Sequence, residues 1–146
     1  MRVVLQRVTG ASVTVDGVVV GRIDRGLVAL VGVARDDTPE DALRLARKTA
    51  RLRVFGDDAG TQRSVVEIEG SVLVVSQFTL LADTRRGNRP SWSAAAPPAE
   101  AAALIAAYAH ALADDGLTVA EGRFGAHMSV ELVNDGPVTI LLDSAT

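Results

Sequence analysis

The chain has no cysteine, which excludes disulfides, thiolate metal sites and a cysteine nucleophile together. It has five aromatic residues, too few for the stacking platforms with which single-strand binders hold bases. Its two histidines are isolated. His110 falls at a helical spacing compatible with an exposed face, and His127 stands beside Met128 at a strand start. No Gly-x-Ser-x-Gly, His-Glu-x-x-His or P-loop pattern occurs, and clusters of metal ligands are missing. No metal and no cofactor is expected. Leu27 to Val33 is the longest apolar run, too short to cross a membrane. Met1-Arg2-Val3-Val4 leads straight into an alternating strand pattern, so no signal peptide is expected and the cytoplasm is the default compartment.

A net charge of −3 argues against binding long nucleic acid by bulk electrostatics, and no DNA partner is expected. A local basic patch remains open, because arginine is plentiful. The 146 residues suit one domain, with an ordinary balance of 48% hydrophobic and 23% charged residues.

Residues 2–9 and 11–15 interleave β-branched and polar residues, and Asp16-Gly17 signals a hairpin into a strand from Val18 to Ile23. A second turn at Arg25-Gly26 would feed a strand buried on both faces, making an antiparallel meander. Thr38-Pro39-Glu40-Asp41 starts a helix running to about residue 53, with Leu43, Ala46 and Ala50 on its apolar stripe. Its Arg44, Arg47, Lys48 and Arg51 read as a solvated face, with a tRNA-facing surface as the alternative. Phe55 to Gly60 reads as loop, with a polar stretch to Arg63 and a short strand from Ser64 to Ile68. Val72 to Val75 is a buried strand. Pro97-Pro98 opens a second helix to about Ala113, with Leu104, Ile105, Tyr108 and Leu112 on one face. Strands over 117–124, 127–133 and 138–142 complete a single α+β domain, 1–146, of curved, barrel-like antiparallel sheets with two helices.

Two stretches carry the functional reading. Ser76-Gln77-Phe78-Thr79-Leu80 lies where an apolar strand becomes a loop, a place where main-chain N–H groups come free. Such groups can stabilise an oxyanion without any titrating side chain. Alternatively, Ser76 and Thr79 satisfy strand-end hydrogen bonds. Asn134-Asp135-Gly136-Pro137-Val138-Thr139 is a cluster of turn formers between apolar runs; read locally it is a trans hairpin turn. A side-chain catalytic triad is not indicated.

These stretches, with Leu5-Gln6-Arg7-Val8, Ala11-Ser12-Val13-Thr14-Val15, Gly26-Leu27 and Gly87-Asn88-Arg89-Pro90-Ser91, make the chain resemble the D-aminoacyl-tRNA deacylases end to end. The resemblance implies that family's fold and a homodimer with each active site at the subunit interface. It implies a cis Gly136-Pro137 peptide inserted from the partner subunit, its carbonyls holding the α-amino group and filling the space of an L side chain. Ser76, Gln77, Phe78 and Thr79 would form the catalytic segment around the ester to the tRNA ribose. Arg7 would support the Gly-Pro loop, and Arg85, Arg86 and Arg89 could hold tRNA phosphates. Three departures are visible: Thr61-Gln62-Arg63 where Lys-Met-Asn is common, Trp92 for Phe, and His127 for Asp.

Three readings follow. The first is an editing hydrolase for D-aminoacyl-tRNA and mischarged glycyl-tRNA. The second is a non-catalytic nucleic-acid-binding dimer on the same fold. The third, a generic esterase, lacks an activated nucleophile.

Overall fold

The opening alternation becomes one long strand, β1 (Arg2–Val15), in the computed structural model, which describes residues 1–60 and 62–146. Val3 and Leu5 pack on one face of β1, whereas Val8, Ala11, Val13 and Val15 share the other. The parity changes because the pairing shifts register between Val8 and Gly10, and one extra residue flips every later side chain. Asp16 and Gly17 both have positive φ, 49° and 76°, as a tight hairpin into β2 (Val18–Ile23) requires.

The second expected turn does not reverse the chain. Both β2 and β3 (Gly26–Gly32) run antiparallel to β1, β2 against its second half and β3 against its first. Arg25-Gly26 is therefore a bend, and there is no meander. The glycine marks a close approach instead: a Cβ on Gly26 would sit 1.8 Å from the Ser71 carbonyl oxygen.

Thr38 caps α1 (Pro39–Arg51) through a reciprocal pair, Asp41 N–H to Thr38 Oγ1 at 3.3 Å and Thr38 N–H to Asp41 Oδ2 at 3.0 Å. Its basic residues are exposed, and so is Leu43, which was expected on the buried stripe. The expected loop after α1 contains a small antiparallel pair, β4 (Phe55–Gly56) with β5 (Gln62–Arg63). Thr61 lies outside the described residues. Ser64 to Ile68 is a turn, not a strand. Ser64 N–H donates to Glu67 Oε2 at 2.6 Å and Glu67 N–H donates back to Ser64 Oγ at 3.2 Å. That Ser-x-x-Glu exchange outweighs the β-branched residues inside it.

β6 (Ser71–Ser76) pairs parallel to β3, and β7 (Thr118–Glu121) parallel to β6. The sheet is thus mixed, because α1 and α2 (Pro98–Asp114) each form the crossover that parallel neighbours need. Leu27, Ala29, Val72 and Val74 meet the helices, while Val28, Leu73 and Val75 point into the barrel. The sheet's ends approach at Gly21, where a Cβ would lie 2.5 Å from the Glu121 carbonyl oxygen.

β8 (Ser129–Asp143) runs antiparallel along the other edge of β1 as one strand, where two strands and a turn were expected. Gln6 pairs with Thr139 and Val8 with Asn134, so Asp135 to Val138 bulge out opposite the single residue Arg7. The turn formers loop the chain outward without reversing it.

Candidate active site

β6 ends at Ser76, level with Val31 of β3, and Gln77 N–H extends the ladder by one bond to the Val31 carbonyl at 2.7 Å. Gln77 then turns the chain (φ −148°, ψ 76°) into a 3-10 turn, Phe78–Leu81, anchored by the buried Leu81. Leu80 N–H closes on the Gln77 carbonyl at 3.2 Å, and Ala82 N–H on the Thr79 carbonyl at 3.1 Å. The first N–H groups of such a turn have no partner within it. Among the described residues, Phe78 and Thr79 N–H have no acceptor elsewhere either.

Beside this turn lies a cleft of about 530 Å³. Its floor is apolar, from Val31, Val33, Val75 and Ile105, and Ser76, Gln77 and Phe78 form one wall. The opposite wall is the segment Phe124–Met128 between β7 and β8. Phe78, 57% exposed, meets Trp92 edge to face at 5.8 Å between centroids. His127 is the one ionisable side chain lining the cleft among the described residues. Sequence reasoning gave the Phe124–Met128 wall no role. Its signal was weak, a lone Phe and a lone His in a short loop.

Gln77 Nε2 donates to Thr79 Oγ1. That bond takes no proton from the hydroxyl, and among the described residues no base is hydrogen-bonded to it.

Gly136 and Pro137 sit at the crest of the β8 bulge, joined by a cis peptide bond. Arg7 holds the bulge from below. Its Nε donates to the Asp135 carbonyl at 3.1 Å and lies 3.1 Å from Asp135 Oδ2, while Nη1 donates to the Val54 carbonyl. Asn134 adds a brace that the sequence did not reveal beyond its turn propensity: Nδ2 donates to the carbonyls of Arg7 at 2.9 Å and Val138 at 3.2 Å.

The two segments are not brought together within one chain. Ser76 is level with Val31, Val3 and Leu142, whereas the bulge is level with Arg7. Three strand spacings of about 4.8 Å and four residues of about 3.3 Å place them on the order of 15–20 Å apart.

The arginine loop is closed at its base by paired hydrogen bonds between Asp83 and Ser91, at 2.7 and 3.0 Å. Arg85 is engaged there, donating to both Asp83 carboxylate oxygens at 2.8 and 2.6 Å. That fork holds the Asp83 carboxyl well below the usual carboxylate range and raises the Arg85 guanidinium. Arg86 and Arg89 are exposed and, among the described residues, carry no ion pair.

Free main-chain donors beside an apolar cleft, with no activated side chain, suit a hydrolase that works by stabilising an oxyanion. The comparisons agree with that class. The family profile described as D-Tyr-tRNA(Tyr) deacylase matches residues 4–143. A D-aminoacyl-tRNA deacylase of Roseiflexus castenholzii is 61% identical over 146 residues, covering 99% of this chain and 93% of that protein. One from Deinococcus deserti is 60% identical over 144 residues, covering 98% and 99%. Among solved structures, one described as c-Myc DNA Unwinding Element Binding Protein has a TM-score of 0.90 at 39% identity, covering 98% of each chain. Another, described as a probable eukaryotic D-amino acid tRNA deacylase, shares the fold with a TM-score of 0.85 at 18% identity, covering 97% of each. The chain belongs to the D-aminoacyl-tRNA deacylase family, hydrolases of the ester bond in aminoacyl-tRNA.

Proposed function

We propose that the chain hydrolyses D-aminoacyl-tRNA, and mischarged glycyl-tRNA, to free amino acid and tRNA, as a cytoplasmic homodimer with two active sites. The observation that carries this reading is the pair of unengaged N–H groups of Phe78, which lines the cleft, and of Thr79 next to it in the turn. In the proposed reaction these donors receive the ester carbonyl oxygen. Water adds to the carbonyl carbon, the bond to the ribose oxygen breaks, and the proton ends on that oxygen. No nucleophile hydrogen-bonded to a base occurs at the turn among the described residues, and in this reading the neighbouring ribose hydroxyl assists the attack. Each oxyanion donor removed from such a site typically costs about 10²–10³ in rate.

Chirality is read by exclusion. The carbonyls of Gly136 and Pro137, supplied by the partner subunit, hold the α-amino group and occupy the space an L side chain needs. The separation of 15–20 Å within one chain supports a contribution from a second copy (about three strand spacings plus four residues). Glycine has no side chain to exclude, so glycyl-tRNA is accepted. Arg86 and Arg89 serve the tRNA phosphates, and Arg85 serves mainly to hold the loop through Asp83.

The experiment is deacylation of matched D-tyrosyl-, L-tyrosyl- and glycyl-tRNA by the purified protein. Release from the D and glycyl forms with the L form spared is the expected result, unchanged by a metal chelator. A structural relative described as a DNA-element binder favours a second reading, a non-catalytic nucleic-acid-binding dimer. The net charge of −3 weighs against it. No release from any of the three substrates by a folded dimer would establish that reading instead.

A further inference from the structure

Gly32 closes β3 directly beneath the catalytic turn. Its φ lies outside the left-handed region, so its backbone angle does not call for glycine; its surroundings do. A Cβ on Gly32 would lie 2.6 Å from Leu81 Cδ2, 2.7 Å from the Gln77 carbonyl oxygen and 3.1 Å from Leu80 Cβ. The Leu81 methyl can move aside. The Gln77 carbonyl cannot move alone, because it accepts Leu80 N–H and so closes the 3-10 turn.

Other contacts tie the turn to the same platform. Val31, the residue before Gly32, accepts Gln77 N–H at 2.7 Å. Arg2, paired with Gly32 across β1 and β3, donates Nη1 to the Leu80 carbonyl at 2.9 Å and is itself held by Asp143 at 3.2 Å. The turn therefore rests on the bare Cα of Gly32, with a hydrogen bond on either side. β3 cannot yield in its place, because it is paired on both edges and buried on both faces.

We propose that Gly32 is a positioning residue of the deacylation site: its missing side chain sets the height of the Gln77–Leu81 turn and hence the aim of the Phe78 and Thr79 N–H groups. The inference rests on the reading of those groups as oxyanion donors. An added methyl must lift the turn by some tenths of an ångström. The donors then miss the place where negative charge develops, while the rest of the cleft lining, Val31, Val33, Ile105 and Phe124–Met128, stays in place. Transition-state stabilisation suffers more than ground-state binding.

The test is Gly32→Ala, assayed on D-tyrosyl-tRNA for kcat and KM, with amide ¹H–¹⁵N shifts and Tm measured alongside. We expect kcat to fall by about 10- to 100-fold with KM nearly unchanged, on the scale known for small misplacements of reacting groups. Amide shifts should move at residues 77–81 and little elsewhere. Gly10→Ala is the control, a strand glycine whose Cβ would meet only the Ile23 carbonyl oxygen, at an ordinary 3.7 Å; its kcat should match wild type. If Gly32→Ala alone folds poorly, adding Leu81→Ala relieves the side-chain contact but leaves the one to the carbonyl, and the same kcat loss is expected. Unchanged kcat, full rescue by Leu81→Ala, or shifts spread through the barrel with a parallel loss in Tm would each overturn the proposal. An inactive wild type would count against the deacylase reading alone, because the amide shifts report on the turn without any substrate.

Discussion

Thr79 carries a hydroxyl next to Phe78, which lines the cleft, and among the described residues no hydrogen-bonded base takes its proton. Its Oγ1 already accepts from Gln77, and among the described residues no hydrogen bond joins it to a carboxylate or an imidazole. In the proposed reaction its main-chain N–H is the part that serves the ester carbonyl, and alanine keeps that group. Thr79→Ala should therefore retain deacylation of D-tyrosyl-tRNA within about tenfold of wild type, since only a hydrogen bond and a methyl are lost. Single-turnover rates give the answer. A loss beyond about 10³ with the fold intact would mean that the hydroxyl is the nucleophile after all. Arg7 illustrates a different economy of side chains. One guanidinium spans the Val54 carbonyl and both the carbonyl and carboxylate of Asp135, so the bulge is fixed from inside its own chain.

At the scale of elements, α1 and α2 are joined by one polar contact inside an apolar interface. Thr49 Oγ1 donates its single proton to the Leu45 carbonyl at 2.9 Å, so at 2.8 Å the Tyr108 hydroxyl must be the donor to Thr49. Burial pushes the Tyr108 phenol up, so it stays protonated and keeps that donor role. The two removals are therefore unequal. Tyr108→Phe leaves only a spare lone pair and should cost about 1 kcal/mol, whereas Thr49→Val strands a buried O–H donor and should cost up to about 3 kcal/mol. Urea unfolding of both variants and the double variant checks this order, and equal costs would refute the donor assignment. The helices themselves were legible in the sequence because their caps and periodicity are local. Strand direction was not. Arg25-Gly26 and Asn134 to Pro137 both look like turns, but one serves a close approach by Ser71 and the other bulges opposite Arg7. Composition marks a departure from regular backbone, and only the partner strands decide whether the chain reverses. The Ser76–Leu80 stretch was readable as a strand end, whereas the part that Phe124–Met128 takes in the cleft depends on tertiary placement.

At the scale of the whole molecule, the cleft and the bulge lie on the order of 15–20 Å apart in one chain, and the proposed reading takes them from different copies (the estimate from strand spacing and rise). The cross-subunit arrangement then makes a prediction that no single-chain arrangement shares. Gly136 is exposed, and a Cβ added there would meet only Asn134 Oδ1, at 3.4 Å. In a dimer, Gly136→Val would obstruct the partner's cleft, while Gly32→Ala disables the turn of its own. Each homodimer should be nearly inactive. In a mixed dimer, one site receives the intact turn of the first subunit and the intact bulge of the second. The other site receives both defects. Unfolding and refolding the variants together in equal amounts yields about half mixed dimers, so about one quarter of wild-type sites should return. Native mass measurement of the mixture fixes the fraction of mixed dimers, and deacylation of D-tyrosyl-tRNA reads the sites. Recovery in proportion to the mixed fraction requires that cleft and bulge come from different subunits. Mixed dimers without recovery would mean that the bulge serves the cleft of its own chain, and a fully active Gly136→Val homodimer would place the bulge outside the chemistry.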